Sequence, residues 1–346
     1  MRAAVLTHPG SIEVEERRVP EPDVGDVLIR VSDVGVCGSD THYYREGRIG
    51  EYVVESPLIL GHEAAGAIVA VGPGVPKERI GQRVSIEPQR PDPSSDETRR
   101  GHYNLCPHMR FFATPPVDGA LCEYVTIGAA FAHPVPDSMS DTAAALCEPL
   151  SVGIAAIGQA AVSGGSRVLV AGAGPIGIMA VQVAQAFGAT EIVVTDLDER
   201  RRELAGQFGA TAALDPRVDD VAHLGVDAFI DASGAAAAVT TGLWAVRPAG
   251  RAVLVGMGTP TMELPVQLIQ NRELTLTGVF RYANTWETAI ELVRLGRVDL
   301  DAMVTARYPL EKTAEALESD RVPGNIKSVV EVDEPLGRRA RSGGSS

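Results

Sequence analysis

The sequence predicts an α/β fold with two domains, one rich in strands and one built as a doubly wound parallel sheet of six strands. Three observations lead to this prediction. The chain has 346 residues, which is enough for about two domains of ordinary size. Short β-rich runs separated by Pro, Gly and Asp turns fill about the first 145 residues. From residue 167 onward, apolar strands alternate with helical stretches, as in the β–α–β units of a parallel sheet.

Composition narrows the class of protein. Hydrophobic residues make up 45% of the chain and charged residues 22%, and the mean hydropathy is +0.05, which excludes a disordered or fibrous chain. The 45 acidic residues outnumber the 31 basic ones, for a net charge of −14, so we expect no nucleic acid partner and no anionic membrane partner. There is no apolar run of about 18 residues and no signal-peptide pattern, so we expect a cytoplasmic protein.

The predicted elements of the first domain are short. An alternating strand covers residues 3–6, and further β-rich runs cover 26–31, 67–71, 83–87 and 121–127. The pattern changes near Pro149, where the β–α–β alternation begins.

The second domain supplies six candidate strands, the number in a complete dinucleotide-binding sheet of the Rossmann type. They cover residues 167–171, 191–195, 212–214, 227–231, 251–255 and 274–279.

After Phe280 the alternation stops. A helical stretch at 285–295, a run at 303–308 and a final apolar run at 327–332 look like a return to the first domain. We therefore expect a discontinuous first domain, 1–150 and 282–335, and an inserted second domain, 151–281. Residues 336–346 are rich in Arg, Gly and Ser, which predicts a disordered tail.

A glycine-rich loop follows the strand at 167–171 and precedes a helical pattern, the context in which such a loop binds the pyrophosphate of a dinucleotide. Its residues are Gly172, Ala173, Gly174, Pro175, Ile176 and Gly177. Asp196 ends the next strand, 24 residues after Gly172 (196 − 172), where a carboxylate binds the adenosine ribose and favours NAD over NADP. Arg201, with its arginine neighbours, weakens that preference. An empty Rossmann-like domain and a methyl-transfer enzyme are the alternatives.

Three fragments of the first domain carry side chains that zinc prefers. Cys37 offers a thiolate, His62 and Glu63 offer an imidazole beside a carboxylate, and Glu148 places an acid just before the second domain. Catalytic zinc takes three protein ligands and leaves one position open. The alternatives are a buried core thiol at Cys37 and a hydrogen-bonded pair that caps a turn at residues 62–63.

Several fragments resemble one family closely. They are V-C-G-S-D-T-H-Y, G-R-I-G-E-Y-V-V, G-H-E-A-A-G, Y-N-L-C-P, F-F-A-T-P-P-V-D-G, C-E-P-L-S-V-G, V-A-G-A-G-P-I-G and V-F-R-Y-A-N-T-W. Together they resemble the zinc-dependent medium-chain dehydrogenases, specifically the sorbitol (polyol) dehydrogenase branch, from the first strand to about Val332. The resemblance implies a GroES-like catalytic domain beside the Rossmann domain.

The resemblance also implies a metal site. Zinc would be bound by Cys37, His62 and Glu63, with Glu148 holding or exchanging with the zinc-bound water. Simple alcohol dehydrogenases use a cysteine near Cys147, so that residue is a competing ligand, although the E-P-L-S frame favours Glu148. The lobe that carries four cysteines for a structural zinc in fuller relatives retains only Cys106 here, so we expect one zinc per subunit.

The implied chemistry is hydride transfer from a secondary alcohol to a nicotinamide. Zinc would polarise the alcohol, and Ser39 with His42, or water held by Glu148, would relay the proton. The resemblance places two further groups, one at the substrate and one on the nicotinamide side. They are Tyr43, Phe112, Arg281 and Tyr282 for the substrate, and Val255, Met257 and Phe280 for the nicotinamide. For the scarce aromatics Tyr43 and Phe112, plain packing is the alternative.

The leading hypothesis is therefore an NAD- and zinc-dependent polyol dehydrogenase. A secondary-alcohol, diol or amino-alcohol dehydrogenase on the same scaffold is the alternative within the enzyme class. A non-catalytic NAD(H)-binding sensor is the alternative outside it. The resemblance also implies a homo-oligomer, a tetramer in preference to a dimer.

Overall fold

The structure is a computed structural model that describes residues 1–332. The chain forms two units. Of the described residues, the first unit contains Met1–Glu148 and 299–332, and the second contains Pro149–Val298. The tail expected at residues 336–346 lies outside the described residues.

Strands dominate the first 148 residues, and helices alternate with strands in the second unit. Up to Glu148 the elements are β1 (Arg2–His8), β2 (Ser11–Glu16), β3 (Asp26–Gly35), α1 (Gly38–Glu46), β4 (Arg48–Ile49), β5 (Tyr52–Val53), β6 (Leu58–Ile59), β7 (Glu63–Val71), β8 (Arg83–Ile86), β9 (Gln89–Arg90), α2 (Asp96–Arg99), β10 (Arg110–Phe111), β11 (Tyr124–Gly128), β12 (Ala132–Pro134) and α3 (Asp141–Ala145). Then follow α4 (Cys147–Gln159), β13 (Arg167–Ala171), α5 (Pro175–Ala186), β14 (Glu191–Thr195), α6 (Glu199–Gln207), β15 (Ala212–Leu214), β16 (Val226–Asp231), α7 (Ala236–Ala245), β17 (Val246–Leu254), α8 (Val266–Asn271), β18 (Thr275–Gly278) and α9 (Trp286–Arg294). The last elements are β19 (Val304–Pro309), α10 (Thr313–Leu317) and β20 (Lys327–Glu331).

The sheet of the second unit confirms the predicted fold class. Its six strands are parallel and run in the order β15-β14-β13-β16-β17-β18. That is the order of a doubly wound dinucleotide-binding sheet, in which the strand order reverses at the first strand. The order therefore reverses at β13, and the predicted glycine-rich loop follows this strand directly.

The predicted strand at 251–255 is longer in the structure. β17 begins at Val246 and contains Pro248, Ala249 and Gly250, with Ala249 at φ 61°. The register of its pairing with β16 shifts in this stretch. Proline and glycine are typical of turns, so the sequence pattern predicts a turn where the strand in fact continues through an irregularity.

The main sheet of the first unit joins distant parts of the chain. Its order is β12-β8-β7-β3-β20-β19, and β11 also pairs with β3. β3 and β7 run longer than the predicted 26–31 and 67–71, with two register shifts along their pairing. The extended pairing sets Glu63 opposite Gly35. The segment that the sequence indicated as a turn around His62 and Glu63 therefore leads directly into a strand.

The boundary after the second unit differs from the expected one. The first unit resumes at Asp299 instead of residue 282. Tyr282 and Trp286 are both buried, and their rings meet at 64° with centroids 5.2 Å apart. Helix α9 starts at this aromatic pair and belongs to the second unit. The pattern of polar and apolar residues predicts the helix but does not indicate which domain the helix packs against. No helix in residues 1–332 combines the length and apolar character needed to cross a membrane.

A buried carboxyl group lies in the main sheet of the first unit. Asp33 of β3 accepts a hydrogen bond from the hydroxyl of Thr142, and Nη1 of Arg307 is 3.8 Å from its Oδ2. Burial raises the pKa of Asp33 to about 6, and the nearby charge of Asp141 acts in the same direction, against the hydrogen bond from Thr142. The carboxyl therefore titrates near pH 6 in the folded protein and near pH 4 in the unfolded chain.

We expect Asp33→Asn to stabilise the protein at neutral pH. Because the folded state holds its proton at higher pH than the unfolded state, the contribution of Asp33 to stability is fully present below about pH 4. It is lost as the pH rises to about 6. The asparagine variant should therefore match the parent at pH 4 and gain up to about 3 kcal/mol at pH 7.5. Urea unfolding followed by circular dichroism measures this, with the exposed Asp137→Asn as control, and an equal change at both pH values contradicts it.

Candidate active site

Cys37 lies between the end of β3 and the start of α1, as the residue that precedes the helix. Its backbone is extended, with φ −98° and ψ 153°. Its N–H donates a hydrogen bond to Oδ2 of Asp40 at 3.2 Å, which satisfies one of the free donors at a helix start. The spacing C-G-S-D therefore fixes the backbone that presents the thiol.

The same aspartate orients His62. Oδ1 of Asp40 accepts a hydrogen bond from the N–H of Gly61 at 2.9 Å and lies 3.4 Å from Nδ1 of His62. Gly61 has φ +87°, and a Cβ there would lie 2.8 Å from Leu121, so the turn requires glycine. Because Nδ1 faces Asp40, Nε2 is the ring nitrogen left to bind a metal ion.

Neighbouring groups shift the pKa values of both His62 and Asp40. Burial alone would lower the pKa of His62, but the charges and hydrogen bonds of Asp40 and Cys37 raise it well above its ordinary value. Burial would likewise raise the pKa of Asp40, and His62 lowers it. Each residue of the pair therefore favours the charged form of the other.

Glu63 is fully buried at the start of β7. The Lys327 ammonium lies 2.6 Å from both carboxylate oxygens and donates a hydrogen bond to Oε1. Among the described residues, none donates a hydrogen bond to Oε2. A Cβ on Gly35 would lie 2.0 Å from Oε2, so glycine at the facing position of β3 makes room for this carboxylate.

These three side chains form a group that fits zinc. One ligand atom each from Cys37, His62 and Glu63 lies within 4.8 Å of the others, a spacing that can close around an ion with bonds of about 2.0–2.3 Å. Thiolate, imidazole and carboxylate are all zinc ligands. Glu148, at the start of α4, lies outside this group, yet its negative charge contributes to the raised pKa of Lys327.

Cys147 is packed away from this group. It is fully buried, its thiol donates to the carbonyl oxygen of Ala143 at 3.5 Å, and burial raises its pKa to about 12. Neither Cys147 nor Glu148 belongs to the group of Cys37, His62 and Glu63. The preference for Glu148 over Cys147 in the C-E-P-L-S segment therefore stays a prediction.

The other predicted residues of the first unit have different surroundings. Ser39 is half-buried, and His42 has a side chain that is 53% exposed, with Nδ1 3.6 Å from Glu46. Tyr43 and Phe112 are buried in the hydrophobic core of this unit. Their burial favours the packing alternative for the two aromatics.

The glycine-rich loop has the conformation that the sequence predicts for a phosphate-binding turn. Gly172 has φ +97°, and α5 begins at Pro175, immediately after Gly174. A Cβ on Gly177 would lie 1.8 Å from the carbonyl oxygen of Gly172, so helix and loop can approach only with glycine there. Ile176 lies in the first turn of α5, which leaves the N–H groups of the helix start directed at the loop.

A cavity of about 540 Å³ adjoins this loop. Its lining includes Gly172, Asp196, Arg201, Arg217 and Thr241. Asp196 accepts a hydrogen bond from the N–H of Ala173 at 2.8 Å through Oδ2 and one from Asp198 at 2.9 Å through Oδ1. The cavity brings together Asp196, the carboxylate that is predicted to favour NAD, and Arg201, an arginine that would suit a 2′-phosphate.

The predicted nicotinamide and substrate residues of the second unit follow the carboxyl ends of β17 and β18. Val255 is half-buried, whereas Met257 and Phe280 are 64% and 52% exposed. Arg281, at φ 56°, lies with its guanidinium 4.8 Å from the centre of the Phe280 ring. Tyr282 is buried against Trp286, which favours packing over contact with a substrate.

Sequence reasoning missed two residues that contact the metal group, Asp40 and Lys327. Asp40 could have been found, because an acid three residues after a helix-capping position is a local signal. Lys327 has no local signal, because it lies 264 positions from Glu63 in the chain. Only the pairing of β20 with β3 brings it there.

Comparison with known proteins places the chain in a family. A model of the alcohol dehydrogenase GroES-like domain matches residues 23–137, and a zinc-binding dehydrogenase model matches residues 175–294. The sorbitol dehydrogenase of Gallus gallus is 39% identical over 341 residues, 96% of each chain. That of Bacillus subtilis (strain 168) is 43% identical over 327 residues, 92% of this chain and 93% of the relative.

The chain belongs to the zinc-dependent medium-chain dehydrogenases, in the sorbitol dehydrogenase branch. This confirms the family and the GroES-like and Rossmann architecture predicted from the sequence. The crystal structure of L-idonate 5-dehydrogenase from Escherichia coli is similar to this dehydrogenase throughout, with a TM-score of 0.91 and 30% identity. The alignment covers 96% of this chain and 98% of that one.

The cysteine-poor lobe of this dehydrogenase is held by polar contacts. The N–H of Asp92 donates a hydrogen bond to Sγ of Cys106 at 3.2 Å, and Arg90 pairs with both oxygens of Asp26 at 2.9 Å. Glu87 accepts from the hydroxyl of Tyr103 at 2.7 Å. Within residues 1–332, the group at Cys37, His62 and Glu63 is the one that meets the spacing for a metal, and a single zinc per subunit stays a prediction.

Proposed function

We propose that this dehydrogenase oxidises a secondary alcohol group of a polyol, such as sorbitol or xylitol, to the ketose, with NAD as the hydride acceptor and one zinc ion bound by Cys37, His62 and Glu63. The observation that supports the proposal is the group formed by the half-buried thiol of Cys37 and the buried imidazole and carboxylate of His62 and Glu63. Its support comes from two sorbitol dehydrogenases that are 39% and 43% identical to this chain. The reaction is reversible, and the non-catalytic alternative has no support.

The residues divide the work as follows. A zinc ion, when bound, supplies Lewis-acid chemistry that makes a bound hydroxyl acidic, and NAD supplies the hydride acceptor. Asp40 holds the ring of His62 in its ligating orientation. Glu148 holds or exchanges with a water molecule, and the alcohol proton is relayed either by Ser39 with the exposed His42 or by the water held by Glu148.

Recognition of a polyol needs groups that form several hydrogen bonds. We assign this role to Arg281, because it is half-buried and its guanidinium lies 4.8 Å from the centre of the exposed Phe280 ring. Val255, Met257 and Phe280 follow the ends of β17 and β18 and suit the nicotinamide side. Tyr43, Phe112 and Tyr282 retain only the support of the family resemblance.

A panel of substrates tests the proposal. With NAD and zinc-loaded protein, we expect sorbitol, xylitol or ribitol to give a kcat/KM at least about tenfold above 2,3-butanediol and threonine, because a pocket built to hydrogen-bond several hydroxyls rejects substrates that leave its polar groups unpaired. Treatment with a chelator should abolish the rate and zinc should restore it. Turnover of simple alcohols alone, or full activity in chelator, would contradict the proposal.

The preference for NAD is tested at Asp196. We expect Asp196→Ala to lower kcat/KM for NAD by about ten- to a hundredfold and to raise the NADP/NAD ratio, because the carboxylate that repels a 2′-phosphate is gone. Arg201 lines the same cavity, so Asp196→Ala/Arg201→Ala should lose the gain with NADP. Arg200→Ala is the matched control, since Arg200 is exposed beside it. An unchanged NADP/NAD ratio in the single variant would refute the assignment.

The cytoplasmic location and the homo-oligomer, tetramer or dimer, stay predictions. Sedimentation of the purified protein would decide the oligomeric state.

A further inference from the structure

Lys327 places a positive charge next to the carboxylate of Glu63, one of the candidate metal ligands. Its side chain is buried, and its ammonium donates to the carbonyl oxygen of Val36 at 2.8 Å and to Oε1 of Glu63 at 2.6 Å. Val36 immediately precedes Cys37. The ammonium therefore ties the loop of one candidate ligand to the side chain of another.

A buried lysine needs a compensating charge. Glu63 supplies it directly, and Cys37 and Glu148 contribute from further away. In the protein without metal, the Lys327–Glu63 pair thus keeps a buried carboxylate compensated before any metal ion arrives.

The ammonium of Lys327 is 2.6 Å from both carboxylate oxygens of Glu63 and donates its hydrogen bond to Oε1. The described residues donate no hydrogen bond to Oε2, although the ammonium is equally close to it. A Cβ on Gly35 would lie 2.0 Å from Oε2. A metal ion bound by Glu63 would therefore share this carboxylate with the ammonium.

We propose that Lys327 is a positioning residue of the metal centre, which shares the Glu63 carboxylate with the metal ion. The proposal rests on the metal site assigned under the proposed function. Two physical consequences follow. The ammonium repels a cation at this short range, and it withdraws charge from the ligand. Lys327 therefore limits how tightly the site holds its ion and leaves the ion more electrophilic.

This role predicts an effect opposite in sign to that of a merely structural residue. Lys327→Met should bind Zn²⁺ at least tenfold more tightly, because the ion becomes the sole counter-charge of Glu63. The zinc-free variant should unfold at a lower temperature than the zinc-free parent, because its buried carboxylate is uncompensated. Lys327→Gln keeps a neutral donor and should lie between the parent and the methionine variant in both properties.

The experiment measures Zn²⁺ affinity by competition with a chromophoric chelator at pH 8, and thermal unfolding of the zinc-free proteins. The Co²⁺-loaded proteins give a third readout, because the visible absorption of Co²⁺ should shift in Lys327→Met as Glu63 becomes a stronger ligand. The matched control is Lys312→Met, since Lys312 forms an exposed pair with Glu315 at 3.2 Å. It should leave all three measurements unchanged.

The outcomes distinguish a failure of the role of Lys327 from a failure of the metal site itself. Tighter zinc binding in Lys327→Met, or in Lys327→Gln if the methionine variant does not fold, supports the sharing of Glu63. Equal or weaker binding in the folded variants overturns it, even if stability falls. If the parent itself binds no zinc, the proposed metal site fails first, and this inference fails with it.

Discussion

Replacement of Cys37 by serine should lower turnover by about a thousandfold or more and leave the protein with much less than one zinc per subunit after dialysis. The thiolate is the soft, anionic ligand of the group, and a serine hydroxyl stays protonated and binds zinc poorly. The Lewis-acid contribution of the metal is several kcal/mol, and about 4 kcal/mol corresponds to a factor of about a thousand.

The measurements are zinc content by atomic absorption and kcat with NAD and the best polyol of the panel. Cys147→Ser is the matched control, because Cys147 is the other cysteine that the family resemblance offers as a zinc ligand. The buried hydroxyl can still donate to Ala143, which accepts from the thiol in the parent. This variant should keep its zinc and its rate within about threefold. Zinc loss in Cys147→Ser with retention in Cys37→Ser would reverse the ligand assignment.

The second large effect is expected at the phosphate loop. Gly177→Ala places a Cβ 1.8 Å from the carbonyl oxygen of Gly172 and 2.9 Å from its carbonyl carbon. These are backbone atoms, and the N–H of Gly172 is itself bonded to the carbonyl of Thr195 at 2.7 Å. The loop must therefore shift, at a cost of about 3 kcal/mol or more, and the N–H groups that meet the pyrophosphate shift with it.

We expect a lower unfolding temperature and NADH binding weakened by at least about a hundredfold, which is about 2.7 kcal/mol. Thermal unfolding and a fluorescence titration with NADH measure the two effects. Gly206→Ala is the control, because Gly206 lies in α6 and a methyl group added to it would meet no atom within 4 Å. Alanine in a helix should stabilise that variant by up to about 1 kcal/mol. Normal NADH affinity in Gly177→Ala would show that the loop does not carry the cofactor.

Local signals explain why the sequence predicted the second unit so well. Three of its strands, β13, β14 and β15, have the predicted bounds, because parallel strands are short apolar runs between turn residues. The glycine spacing around Gly172 is also local, since it reports the backbone conformation of the loop itself. The irregular β17 was shortened in the prediction because Pro248 and Gly250 are typical of turns.

The first unit shows the limit of such signals. Glu63 was recognised as a candidate ligand from its neighbours, but the sequence left open a hydrogen-bonded pair that caps a turn. Its position opposite Gly35 depends on the register of β3 and β7. Register is set by which residues pack on each side of the sheet, and this information is spread along both strands.

The sequence by itself determined the fold class, the phosphate loop, and the residue types of the metal group. These features depend on residues within a few positions of one another, because the residue types themselves set the local backbone conformation and supply the ligand atoms. Only the tertiary structure decided that Lys327 pairs with Glu63, that Asp40 serves both Cys37 and His62, and that Cys147 is buried away from them. The contact between Lys327 and Glu63 joins residues 264 positions apart, and it forms because the pairing of β20, β3 and β7 brings both residues to one end of a sheet.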